Sequence, residues 1–171
     1  TLDRQNSLYI STPTRIIKLD SMGVRQSLIA SPATDIAIDD SGRIYLTLYD
    51  GGQYTKKYDP SGSLLWSYSY GGSQIRLDRF GNVIVKRPYG WSMLAFKLTP
   101  AGALVWSVDF PSGFWGPTDF ALDEFESLYL AGPREISPPL ASIPAFYVVK
   151  YNSSGVHEWS AQYNSPDNLA E

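Results

Sequence analysis

Two anchors, repeated four times in the same order, constrain this chain more than any other feature. The first is an apolar residue and Asp, a turn, then an apolar strand. It occurs as Leu2-Asp3…Leu8-Tyr9-Ile10, Ile38-Asp39…Ile44-Tyr45-Leu46, Leu77-Asp78…Val83-Ile84-Val85 and Leu122-Asp123…Leu128-Tyr129-Leu130. Positions 3, 39, 78 and 123 are therefore 36, 39 and 45 residues apart. The second anchor is Lys, two residues later Asp, Thr or Asn, then Gly and a further strand. It runs Lys18…Gly23, Lys57…Gly62, Lys97…Gly102 and Lys150…Gly155, in steps of 39, 40 and 53. Trp66, Trp106 and Trp159 follow the last three glycines by four residues, and Ser27 stands at the first such position.

The second repeat shows what one unit builds. Asp35–Asp39, Arg43–Tyr49, Gln53–Asp59 and Ser63–Tyr70 read as strands, separated by Asp40-Ser41-Gly42, Asp50-Gly51-Gly52 and Pro60-Ser61-Gly62. Ile44, Leu46 and Leu48 alternate with Tyr45, Thr47 and Tyr49, the period-two pattern of a strand. A four-stranded meander of about 40 residues is one blade of a β-propeller. The expected fold is all-β, a single propeller domain over 1–171 built of four four-stranded antiparallel blades. The blades span about 1–30, 34–70, 74–110 and 118–163, with 164–171 as a completing strand.

Each recurring residue has a physical reason. Asp caps backbone N–H groups of the turn, and Gly accepts the positive φ it needs. Asn6 and Glu126 stand at the first-turn Gly position in repeats one and four. Trp on the outer strand offers a large apolar face to the next blade.

These residues resemble the bacterial and archaeal SBBP-type propeller repeats, of the broader NHL- and quinoprotein-like kind. Their pattern is near D-x-x-G-N-x-Y-v-T-G followed by K-y-d-x-x-G. Asp39-Asp40-Ser41-Gly42-Arg43-Ile44-Tyr45-Leu46-Thr47 and Lys57-Tyr58-Asp59-Pro60-Ser61-Gly62 match best. The resemblance covers nearly the whole chain. It implies a propeller and an exported, extracellular or cell-surface protein, with no defined activity. Quinoprotein repeats want an early Ala and a Thr before the Gly. Lys56 and Ser61 stand there instead, so no quinone or other cofactor is expected.

The two ends read as complementary. Thr1-Leu2 is the end of an innermost strand whose beginning is missing, and Asp167–Glu171 is the start of one that has lost its end. The first blade is therefore expected to be shared between N- and C-terminal segments, of the same chain or of neighbouring copies. The opening on Thr1, without Met or signal peptide, reads as a processed product or part of something longer.

Composition narrows function mainly by exclusion. The formal net charge is −3 without a basic cluster, against a nucleic-acid partner. No apolar run approaches the length of a membrane span. There is no Cys, and His157 is the only His, so a thiolate or His-based metal centre is not expected. No G-x-S-x-G elbow or phosphate-cradling Gly loop occurs, and Gly51-Gly52 and Gly71-Gly72 read as turns. The four repeated Asp residues read as turn formers and not as a calcium ring.

Candidate binding residues fall on the irregular aromatic loops of one propeller face. They are Tyr49, Tyr54, Tyr89, Trp91, Phe114 and Trp115, flat platforms for a glycan or a protein partner. Gly132–Pro144 reads as a long excursion on the same face, stiffened by Pro133, Pro138, Pro139 and Pro144. Asn152-Ser153-Ser154 is an N-glycosylation sequon on an exposed turn. The favoured function is a non-catalytic structural or assembly module, a subunit of a tandem or filamentous surface assembly whose partners are copies of itself or adjoining repeats. The alternatives are a lectin-like propeller using the aromatic loops, and a glycosidase-like propeller with a carboxylate pair.

Overall fold

The computed structural model describes residues 1–49, 52–87, 93–109, 117–136 and 143–164. These residues form strands and turns and contain no helix. Four antiparallel sheets follow one another along the chain, each a meander with strands in sequence order. Sheet 1 holds β1 (Leu8–Ser11), β2 (Ile16–Leu19) and β3 (Arg25–Ile29). Sheet 2 holds β4 (Asp35–Ile38), β5 (Ile44–Leu48), β6 (Tyr54–Tyr58) and β7 (Leu64–Tyr68). Sheet 3 holds β8 (Gln74–Leu77), β9 (Val83–Lys86), β10 (Met93–Leu98) and β11 (Leu104–Asp109). Sheet 4 holds β12 (Asp119–Leu122), β13 (Leu128–Ile136), β14 (Ile143–Tyr151) and β15 (His157–Asn164). Each sheet is a propeller-type blade, as the forty-residue repeat requires.

Among the described residues sheet 1 has three strands where the others have four. Of its innermost strand only a remnant is paired: Leu2 bridges Leu8, and Thr1 and Tyr9 exchange backbone hydrogen bonds. Residues 165–171, read as the completing segment, lie outside the described residues.

The chain separates into two compact units, Thr1–Arg87 with Lys97–Leu104, and Pro88–Phe96 with Val105–Glu171. Within the first, Tyr9, Ile16 and Ile29 of sheet 1 form one buried cluster with Ile36, Ile44, Leu46 and Tyr58 of sheet 2. One face of sheet 1 thus covers the opposite kind of face on sheet 2. The linker into sheet 3 fits tightly: a Cβ at Gly71 would fall 1.9 Å from the Leu48 carbonyl oxygen, and one at Gly72 2.1 Å from that of Lys86. These two glycines are sites of close backbone approach, not merely the turn the sequence suggested. The Asp35 Oδ2 continues the join, accepting from the Ile75 N–H and the Arg76 guanidinium.

In the second unit, β13 and β14 extend into what reads as the Gly132–Pro144 loop, pairing from Leu128↔Tyr151 to Ile136↔Ile143. Pro133 is tolerated because β12 pairs no further than Ala131, so β13 is an edge strand beyond it. Pro144 stands one position beyond Ala145↔Asn164, the last β14–β15 pair among the described residues. Pro133 thus sits where no β12 ladder pair is made.

Candidate functional site

The two sequence anchors meet in space in three repeats, and in the second Arg43 takes the place of Lys57, whose ammonium donates to the Pro100 carbonyl. At each first hairpin an Asp Oδ1 accepts the N–H groups two and four residues on: Gln5 and Ser7 at Asp3, Ser41 and Arg43 at Asp39, Phe80 and Asn82 at Asp78, Phe125 and Ser127 at Asp123. The Oδ2 then takes donors from the neighbouring strands. Tyr9, Tyr45 and Tyr129 hydroxyls donate to Asp3, Asp39 and Asp123 at 3.1–3.2 Å. Lys18 reaches Asp3 at 3.3 Å, Lys97 reaches Asp78 at 2.8 Å and Lys150 approaches Asp123 at 3.9 Å. Sheet 3 has Ile84 in place of the Tyr, and the Asn82 side-chain amide supplies the missing donor at 2.7 Å.

Burial raises each of these four carboxyls, but the surrounding hydrogen bonds outweigh it and hold them below the ordinary carboxylate value. Held ionised and saturated with donors, they suit turn fixation and are poor general acids.

Tyr, Lys and Trp form a row across the sheet. Tyr45 pairs with Lys57, and Lys57 with Trp66; Tyr129 pairs with Lys150, and Lys150 with Trp159. The ammonium groups of Lys18, Lys57 and Lys150 lie 4.9–5.4 Å from the ring centroids of Tyr9, Tyr45 and Tyr129. Trp66 and Trp159 meet Tyr45 and Tyr129 edge-on.

Two of the Trp residues also clasp the turn of the following repeat. The Trp66 indole N–H donates to the Pro100 carbonyl at 3.0 Å, and a Cβ on Gly102 would fall 2.8 Å from the indole. In the second unit the Trp106 indole N–H donates to the Ser153 carbonyl at 3.0 Å, with the same 2.8 Å approach at Gly155. Ile29 does a simpler version of this at Gly62, with 3.4 Å between its Cγ1 and the place of a Cβ. The second-hairpin glycine thus serves its partner's bulk as well as its own φ, which spacing alone could not reveal.

Against this pattern two faces stand uncovered. Leu8, Ile44, Val83 and Leu128 occupy equivalent positions, five residues after the repeated Asp. The last three are 0–1% exposed, and Leu8 is 38% exposed. Ile10 is 39% exposed where Leu46, Val85 and Leu130 are fully buried. Ile17 and Leu19 pair with Ile10 and Leu8 and are half-buried, continuing that face of sheet 1. On sheet 4, Trp159 is 41% exposed whereas Trp106 is 9% exposed. Tyr129 is half-buried where Tyr9 and Tyr45 are buried, and Phe146 pairs with Tyr163 on the same face, both exposed.

Of the residues singled out from sequence, Tyr89, Trp91, Phe114 and Trp115 lie outside the described residues. Tyr54 packs at the edge of the sheet 1–sheet 2 cluster, with the Lys56 ammonium 3.8 Å from its ring centroid and its hydroxyl shared between Ser31 and the Pro32 carbonyl. Tyr49 follows β5 directly and is half-buried, its N–H donating to Thr34 Oγ1. Asn152 caps the turn it was placed on, its Oδ1 accepting from the Ser154 and Val156 N–H groups. His157 is exposed on β15, 2.6 Å from Ser160 Oγ and edge-on to Tyr151.

A shallow groove of about 470 Å³ in the first unit brings Asp39, Asp40, Arg43, Asp78 and Arg79 together. Its carboxylates are engaged: Asp39 by Arg43 at 2.7 Å, Asp40 by Arg4 at 2.6 Å and Asp78 by Lys97. Among the described residues no cluster of three or more His, Cys, Asp or Glu could hold a metal ion.

No known sequence family matches this chain, and no curated protein sequence does so. Solved structures match its fold. One is a protein of unknown function from Bacteroides caccae, 14% identical, covering 98% of this chain and 81% of that one, with a TM-score of 0.56. Another is a member of the DUF4221 family from Bacteroides vulgatus, 9% identical, covering 94% of this chain with a TM-score of 0.59; this chain spans 65% of that one. At such identities the likeness is one of multi-sheet all-β fold.

Proposed function

We propose that this chain is a non-catalytic structural module, one that assembles with copies of itself or with adjoining repeats by stacking sheet on sheet. The carrying observation is the Leu8–Ile10 face of sheet 1. It has the sequence of a buried blade face and exposures of 38% and 39% where its equivalents have 0–1%. Burying a Leu or Ile side chain contributes about 1.5–3 kcal/mol, so such a face favours a covering sheet. The extracellular or cell-surface setting rests on the resemblance to exported SBBP-type repeats. Sedimentation velocity over a concentration series tests the assembly. The expected result is a mass above that of one chain that rises with concentration, and a strictly monomeric species would overturn the proposal.

A further inference from the structure

We infer that Lys57 is a two-position pin set by Arg43. One position is the Asp39 carboxylate of its own sheet, where its equivalents sit. The other is the one observed, in which Arg43 diverts it to tie sheet 2 to the second hairpin of sheet 3. The stem of this lysine is placed as in the sister repeats. Lys57 pairs with Tyr45 across the strands, as Lys18 does with Tyr9 and Lys150 with Tyr129. Its ammonium lies 4.9 Å from the Tyr45 ring centroid, against 5.0 and 5.4 Å in those two repeats. The head group is what differs. Lys18, Lys97 and Lys150 turn to the Oδ2 of Asp3, Asp78 and Asp123. At Asp39 that oxygen already accepts from the Arg43 Nε at 2.7 Å and the Tyr45 hydroxyl at 3.1 Å.

Charge, not crowding, accounts for the exchange. The residue four after the repeated Asp is Ser7, Arg43, Asn82 or Ser127. In sheet 3 the neutral Asn82 amide donates to Asp78 Oδ2 at 2.7 Å, yet Lys97 reaches the same oxygen at 2.8 Å. A further neutral donor therefore leaves room for the lysine. A further cation does not, because two like charges on one carboxylate oxygen repel. Lys57 Nζ donates instead to the Pro100 carbonyl at 2.8 Å, which also accepts the Trp66 indole N–H at 3.0 Å. All of these groups lie within the first unit. Lys57 is 5% exposed; the titratable groups around it are Asp39, Arg43 and Tyr45 of its own sheet, and sheet 3 presents the Pro100 carbonyl. Burial, and then the Arg43 charge, hold this ammonium below the ordinary lysine value, whereas contacts with Tyr9 and Asp3 hold Lys18 above it.

Arg43→Ser installs the residue of sheets 1 and 4 and frees Asp39. Lys57 is then expected to return to Asp39, and its amine to titrate at least about one pH unit higher than in wild type. Heteronuclear NMR of labelled lysine side chains reads this, the Lys57 signal being assigned by its loss in Lys57→Met. In wild type Lys57 should titrate below Lys18. Wild-type Lys57 titrating together with Lys18, or an amine unmoved in Arg43→Ser, overturns the pin. Arg43→Asn, carrying the neutral donor of sheet 3, is read in the same way if the serine variant does not fold. The far turn supplies a second reading. The Gly102 and Ala103 N–H groups bond to Thr99, and the Gly23 N–H closes a like turn on Asp20. Hydrogen exchange at Gly102 and Ala103 is expected to speed up at least about threefold in both Arg43→Ser and Lys57→Met, with Gly23 unchanged. Exchange at Gly102 that is the same in wild type and both variants overturns the tie between the sheets.

Discussion

Lys97 Nζ lies 2.8 Å from Asp78 Oδ2, with side-chain exposures of 7% and 0%. This is the most enclosed contact between the two repeated anchors among the described residues. Asp78 also accepts from the Phe80 and Asn82 N–H groups and the Asn82 side-chain amide, so its charge is compensated four ways. The consequence is an asymmetry. Asp78→Ala strands a buried ammonium and undoes a turn, at an expected cost of about 3–5 kcal/mol. Lys97→Met leaves the carboxylate three donors and should cost about 1–3 kcal/mol. Urea unfolding of both variants checks the order; a larger loss for Lys97→Met would show that the turn does not depend on this carboxylate.

Acid should unfold the protein through these same turns. Asp3, Asp39, Asp78 and Asp123 all have folded-state pKa values depressed below the ordinary value, because donors outweigh burial. A depressed pKa contributes stability that is present above the unfolded value of about 3.9 and is lost as pH falls through the folded one. The urea midpoint should therefore vary little from these groups between about pH 8 and pH 5 and drop steeply below about pH 4. A decline centred near pH 6.5 would place the controlling group elsewhere.

The clasp makes its own prediction about glycine. At Gly102 the φ of +87° already disfavours any side chain, and a Cβ would strike Trp66 at 2.8 Å. Gly102→Ala should lose more than the roughly 1 kcal/mol expected of positive φ alone. Gly23→Ala, with the same backbone and open space, should lose only that backbone part when measured on dilute monomer. Equal losses in the two variants, read from thermal or urea unfolding, would mean that Trp66 yields freely.

The repeat made the architecture legible because turn chemistry is local. Asp at the first position and Gly at the last fix a hairpin without help from the rest of the chain, and observed strands fall within one or two residues of those expected in the second repeat. Even the departures kept the geometry: Asn6 and Glu126 take φ of 60° and 62° at the glycine position. Relations between strands were not legible. Lys18 and Asp3 are far apart in sequence and meet only because Tyr9 and Lys18 are cross-strand partners. Gly132–Ile136 read as loop because proline signals a break, yet an edge position costs proline nothing. The uncovered faces were hidden for a further reason. Leu8 and Ile10 carry the same apolar pattern as Leu128 and Leu130, and only burial distinguishes a covered face from a spare one.

That distinction can be measured with one substitution made twice. Leu46 and Ile10 hold equivalent positions in β5 and β1, with exposures of 0% and 39%. Leu46→Ala removes methyl groups from the middle of the sheet 1–sheet 2 cluster, for which about 2–5 kcal/mol is the expected loss. Ile10→Ala removes groups that are already part-solvated, so on dilute monomer it should cost about 1 kcal/mol or less. At concentrations where chains associate, the second variant should additionally lose the mass increase seen for wild type. A large loss for Ile10→Ala in dilute monomer would show that its face is covered within the chain, and the assembly surface would have to be sought elsewhere.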